Sequence, residues 1–136
     1  MLNAKDAGDA QALGAALAAG GNPNLLSPSG SSMLILAAHR GQLEHIELLL
    51  RAGADPDMRQ ARKDSERGDT ALLRAFYGGQ LAAAQRLVQA GARLDARNRW
   101  DWGVVHMAAQ NGCLPCLQWL AERGQALDLK TAVDRL

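Results

Sequence analysis

Apolar residues fall in short bursts along this chain, and glycine closes each burst. Met33, Leu34, Leu36, Ala37 and Ala38 recur at helical spacing and stop at Gly41. Leu43, Ile46, Leu48, Leu49 and Leu50 do the same and stop at Gly53. Helices of two to about three turns do not persist alone in water. Glycine most easily takes the left-handed conformation that ends a helix. Residues 30–57 therefore predict a helix–turn–helix unit that needs neighbours to bury its apolar faces. Those neighbours are present. Gly8, Gly41, Gly79 and Gly112 are separated by 33, 38 and 33 residues, and Gly20, Gly53, Gly91 and Gly124 repeat the same three separations. Two glycine ladders in register mark an internal repeat.

The repeat carries more than glycine. The second ladder is followed by Gly21-Asn22-Pro23-Asn24, Ala54-Asp55-Pro56-Asp57, Ala92-Arg93-Leu94-Asp95 and Gln125-Ala126-Leu127-Asp128. The first is preceded by Ala37-Ala38, Ala75-Phe76 and Ala108-Ala109. With its 33-residue period, this pattern resembles the ankyrin repeat. The stretch Gly41 to Asp57 is close to verbatim for the family's G-H-L-E-x-V-x-L-L-L-x-x-G-A-D-x-N half. The T-P-L-H opening is matched loosely by Ser32-Met33-Leu34-Ile35, Thr70-Ala71-Leu72-Leu73 and Gly103-Val104-Val105-His106. The resemblance implies an all-α solenoid of stacked helix–turn–helix units with projecting β-hairpin loops.

In register, residues 1–136 make one ankyrin-repeat domain. It divides into an N-terminal capping repeat at 1–25, repeats at 26–57, 58–95 and 96–128, and a C-terminal cap helix at 129–136. The capping repeat is expected to hold two helices, Leu2 to Ala7 and Asp9 to Ala19. A solenoid repeat touches mainly its neighbours, so no central core is required, and terminal repeats are atypical because one side faces water. The composition of 48% apolar with only 4% aromatic residues agrees with packing by alanine and leucine.

Charge and cysteine content narrow the classes. The net charge of +1 provides no general attraction to nucleic acid or anionic membrane. No run reaches the roughly 18 apolar residues of a membrane span, and Asp6 and Asp9 interrupt any secretory signal. The two cysteines make no disulfide framework. A reducing cytoplasm is the expected compartment, and the Ala-, Arg-, Leu- and Gly-rich usage points to a bacterial chain.

Two hairpin segments stand out. The third repeat opens with MRQARKDSERGD, five residues longer than the other spacings require. Loops accept such insertions because closure entropy grows slowly with length. It reads either as a solvated loop with self-compensating charges or as a contact surface. The fourth repeat opens with Asn98-Arg99-Trp100-Asp101-Trp102-Gly103. Two tryptophans two residues apart on an extended arm point to one side. Large aromatic and arginine side chains are the usual anchors of interfaces. The alternative is that one or both fold back over the solenoid edge beside Trp119.

No catalytic, cofactor or metal site emerges. Cys113-Leu114-Pro115-Cys116 begins a helix, where a thiol could be activated. A zinc site needs four ligands, however, and no second pair of cysteines or histidines is present. Packing and capping are the expected roles, with Pro115 in the first turn. His106 matches the histidine of T-P-L-H, whose role in the family is structural hydrogen bonding. His45 falls in the second-helix core pattern. The paired glycines at Gly20-Gly21 and Gly78-Gly79 are helix terminators that lack a phosphate loop's Lys-Ser/Thr.

The resemblance implies a non-enzymatic protein-binding module that uses the concave face of hairpin tips and first-helix ends. On this chain that face is Ser29, Ser31, His39, Arg40, Arg62, Arg67, Asp69, Tyr77, Arg99, Trp100, Trp102, Gln110 and Asn111. Its basic, aromatic and amide groups suit a protein partner with an acidic or polar surface, with the free chain monomeric. Read as self-contained, the chain suits a small bacterial inhibitor, such as an immunity protein that occludes a toxin. The alternative is nucleic-acid binding through Arg59, Arg62, Lys63, Arg67, Arg93, Arg97 and Arg99, with Trp100 and Trp102 stacking bases.

Overall fold

A computed structural model describes residues 4–24, 32–60 and 68–125, with side chains from residue 11 onward. The described residues form α1 (Ala4–Ala18), α2 (Met33–Arg40), α3 (Leu43–Arg51), α4 (Ala71–Tyr77), α5 (Leu81–Gln89), α6 (Val104–Asn111) and α7 (Leu114–Glu122). They contain no strand; the only ladder pairing among them is one isolated antiparallel bridge between Arg59 and Thr70. Residues 25–31, the centre of the long loop at 61–67 and the cap helix expected at 129–136 lie outside the described residues.

Each repeat folds for local reasons. Ser32 and Thr70 cap α2 and α4, their hydroxyls accepting from the backbone N–H groups of Ile35 at 3.2 Å and Leu73 at 3.3 Å. Gly103 has no side chain to do this at α6, and its own N–H donates instead to His106 Nδ1 at 3.4 Å. At the other end, Gly41 and Gly112 terminate α2 and α6 at φ 71° and 79°. Gly8 behaves differently. It lies inside α1, which runs unbroken where the sequence predicts two helices. A glycine permits a turn but does not compel one, and the flanking Ala-rich sequence favours continuous helix.

The helices stack in two rows. α2 packs on α4 and α4 on α6, while α3 joins α1 to α5. The buried set is small aliphatics around a few large side chains: Leu34, Ile35, Ala38, Ile46, Leu49, Leu72, Leu73, Phe76, Ala84, Leu87, Met107 and Leu120. Phe76 is fully buried, its ring 6.3 Å from that of Trp119. Gly78, read from sequence as a helix terminator, has φ −82° and serves a second purpose. A Cβ there would lie 2.5 Å from the carbonyl oxygen of His39, so glycine allows α2 and α4 to approach closely.

Polar staples repeat with the same period. Asn24, Asp57 and Asp95 each stand four residues after a second-ladder glycine. The side chain of Asn24 accepts from the backbone N–H of Asp55 at 2.7 Å, and that of Asp57 from Arg93 N–H at 3.0 Å. Asn24 and Asp57 thus each tie their own loop to the next, whereas the Asp95 carboxylate is held by Arg93 of its own loop. Between α3 and α5, Arg86 forks onto Glu47 with contacts of 2.6 and 2.9 Å. This hydrogen bonding holds the Glu47 carboxyl below its ordinary range.

Candidate functional site

The first helices carry a connected set of polar and aromatic side chains on one side of the stack. Arg74, in the last turn of α4, organises it. Its Nη2 donates to His39 Nδ1 on α2 at 3.3 Å, and its guanidinium lies 4.8 Å from the Tyr77 ring centre. The His39 and Tyr77 rings stack at 6.1 Å. The Tyr77 carbonyl accepts from Asn111 Nδ2 on α6 at 3.1 Å, so one residue ties three repeats together. An arginine can only donate, so His39 Nδ1 offers a lone pair and the imidazole is neutral.

The electrostatics agree. Burial pushes the His39 imidazole below its ordinary value of 6.5, and Arg74 and Arg40 push it further. The unfolded chain therefore takes up this proton more readily than the folded one. The stability contributed by keeping His39 neutral is fully present above pH 6.5 and declines as pH falls below that value. Gln110 occupies the same repeat position as His39, so His39→Gln preserves the slot without the titration. The wild type should lose more stability than His39→Gln between pH 7 and about pH 5, read by urea unfolding at each pH.

Arg74 also reaches inward. Its Nη1 lies 3.5 Å from Oδ2 of Asp69, which is 0% exposed. Asp69 Oδ1 accepts from Asn98 Nδ2 at 2.9 Å. The other side-chain atom of Asn98, Oδ1, accepts from the backbone N–H groups of Trp100 and Trp102 at 2.9 and 3.0 Å. Asn98 N–H donates to the Trp102 carbonyl at 3.0 Å, and Asp101 sits at φ 63°, which aspartate tolerates better than most residues. Residues 98–102 thus form a tight turn rather than the extended arm predicted from sequence.

That turn displays the tryptophans. Trp100 is 47% exposed and meets Trp102 edge-on at 5.6 Å. Trp102 is half-buried and stacks on His106 at 6.5 Å. The ring that packs by Trp119 is Phe76.

Of the residues expected on the binding face, His39 and Tyr77 are brought together directly, with Asn111 against the Tyr77 backbone. Arg40, Arg99, Gln110 and Asn111 are exposed on the same helix ends and hairpin. Asp69 is a correction. It is fully buried, because Arg74 and Asn98 compensate its charge from inside the stack, and it offers nothing to a partner. Ser29, Ser31, Arg62 and Arg67 lie outside the described residues.

Sequence reasoning missed Arg74 and Asn98. A trace of Arg74 was present, since the equivalent positions hold Leu36 and Met107, so a cation there is out of pattern. The cysteines also differ from expectation. Cys113 caps α7 and Cys116 is buried, as packing and capping require, but the two sulfurs are joined in a disulfide. The cap and N3 positions of a helix bring the two Cα atoms to 5.2 Å, within disulfide range.

Of the seven basic residues proposed for nucleic acid, Arg62, Lys63 and Arg67 lie outside the described residues, and Arg59, Arg93 and Arg97 are engaged within the fold. Arg59 donates to the carbonyls of Gly68 and Arg97, Arg93 pairs with Asp95, and Arg97 with Asp101. Arg59, Arg93 and Arg97 line an open cleft of about 380 Å³ that Asp57 and Asp95 share. Among the described residues no cluster of histidine, cysteine or acid is placed to hold a metal ion. None of the described helices is long and apolar enough to cross a membrane.

A stack of helix pairs with glycine-closed turns and a staple repeated between loops defines the architecture. A family model described as ankyrin repeats (3 copies) matches residues 1–98 and, in a second placement, residues 34–131. The chain belongs to the ankyrin-repeat family. No curated protein matches it. Ankyrin repeats are in general protein–protein interaction modules, which makes a protein the expected class of partner for this ankyrin-repeat chain.

Proposed function

We propose that this ankyrin-repeat protein is a non-enzymatic binding module whose contact surface is the first-helix and hairpin face from His39 to Trp100. The observation that carries the reading is the display of Trp100. A large aromatic side chain stands 47% exposed on a turn that three side-chain hydrogen bonds of Asn98 hold in place. Pre-organised aromatics of this kind lose little conformational freedom on binding. Beside it Arg99 is exposed, the exposed carboxylate of Asp101 is paired with Arg97, Arg40 is exposed at the end of α2, and the acid that meets Arg74 is buried. A partner with an acidic surface matches this face. An inhibitor that occludes its partner is one form such binding takes, and an immunity protein is an example.

Nucleic-acid binding is the weaker reading, because Arg59, Arg93 and Arg97 already hold carbonyls and carboxylates of the chain itself. Capture from a lysate of the protein's own cells separates the two. Wild type and Leu43→Ala, altered at an exposed leucine of α3, should retain the same protein in equal amounts. A Tyr77→Ala/Trp100→Ala variant should lose it. Equal retention by all three, or nucleic acid released by salt in place of protein, would overturn the proposal.

A further inference from the structure

The disulfide at the start of α7 has no counterpart in the other repeats. The N-cap positions of α3 and α5 are Gln42 and Gln80, and the positions three residues on are His45 and Ala83. Both helices form without sulfur, so the fold does not require the pair. Nor does the bond contribute much as a crosslink, since stabilisation grows with the length of chain enclosed and this one joins residues only three apart.

The two sulfurs sit in unlike surroundings. Cys116 is fully buried against the last repeat's core, whereas Cys113 is half-buried at the helix end. The Cys116 backbone N–H donates to Cys113 Sγ at 3.2 Å. Together with the positive end of α7, this donor stabilises negative charge that develops on the Cys113 sulfur. Leu114 beside it is 71% exposed, the most exposed of the large apolar side chains described.

We infer that Cys113 and Cys116 form a thiol–disulfide exchange site, with Cys113 the attacked sulfur and Cys116 the leaving and resolving one. Its substrate is a thiol that approaches past Leu114. The thiolate of that reagent attacks Cys113 Sγ, a new S–S bond forms to Cys113, and the Cys113–Cys116 bond breaks. Cys116 leaves as thiolate and takes a proton from water, which is favourable in its buried position. A second reagent thiolate attacks the reagent sulfur of the mixed disulfide and releases Cys113. In sum, two thiols are oxidised to one disulfide while the protein disulfide is reduced to two thiols, and the reverse restores it. This activity does not depend on the binding face proposed above, from which it is separate.

The test uses the full chain in glutathione redox buffers, quenched with iodoacetamide and weighed intact. Wild type should convert reversibly between a form with no label and a form with two. Cys116→Ala should accumulate a stable glutathione adduct at Cys113, and Cys113→Gln should lose both adduct and label in its folded state. Each replacement is the residue a sister repeat carries at that position, and helical circular dichroism checks the fold. If either variant unfolds, the wild-type conversion alone decides. Reduced thioredoxin run beside glutathione as the reagent distinguishes a protein thiol, which should then react faster, from a small one. Two labels on wild type without any reductant, or equal labelling of both variants, would overturn the inference.

Discussion

Replacing Phe76 with alanine should lower folding stability by about 3–5 kcal/mol, the range for emptying a fully buried aromatic site. The repeat pattern alone argues the opposite. Alanine is the residue at this position in the flanking repeats, as Ala38 and Ala109, so Phe76→Ala restores the pattern. Packing decides between the two. The Phe76 ring is 0% exposed and lies against Trp119 of the following repeat. α4 is held between α2 and α6, which limits collapse into the space the ring leaves. Because domains are stable by only about 5–15 kcal/mol, the change should be visible as a large drop in urea midpoint with the slope unaltered. A loss under about 1 kcal/mol would mean that the third repeat relaxes onto alanine as its neighbours do.

Asn98→Ala should cost about 3 kcal/mol and release the tryptophan turn. The substitution deletes three side-chain hydrogen bonds at once, two to the backbone of Trp100 and Trp102 and one to Asp69. The last matters most. Asp69 is a fully buried carboxylate whose described ion pair with Arg74 is long, at 3.5 Å, and removing a partner of a buried charge costs more than the bond itself contributes. Two readouts separate the effects. Urea unfolding reports the stability loss, and tryptophan emission should shift to the red as Trp102 leaves its seat on His106. Partner capture should weaken as far as in a Trp100→Ala variant. Unchanged emission and stability would show that the turn holds itself.

The helical frame was legible because its cause is periodic. The ladder glycines mark the ends of α2 to α7 to within two residues, and the apolar runs mark α2 and α3 themselves. α1 was misread because a glycine before an aspartate can equally begin a helix or lie within one. The tryptophans were legible as candidates because aromatics are scarce here, at 4% of the chain. What held them was not, since Asn98 meets Asp69 across 29 residues and Arg74 meets His39 across 35. Local pattern has no access to such pairings. Asp69 illustrates the consequence: within a charged loop it reads as solvated, yet two partners from later in the chain draw it inside. The disulfide was set aside for a similar reason, as composition addresses compartment and not the 5.2 Å between two helix-start positions.

Hydroxyl-radical footprinting of the protein alone and in complex with its captured partner tests the central claim most directly. The binding face should become protected in the complex: oxidation at Trp100 and Tyr77 should fall sharply, while Leu43 and Leu114, exposed on the second helices, should oxidise as before. Protection at Leu43 and Leu114, with Trp100 and Tyr77 unchanged, would place the partner on the opposite side and contradict the account.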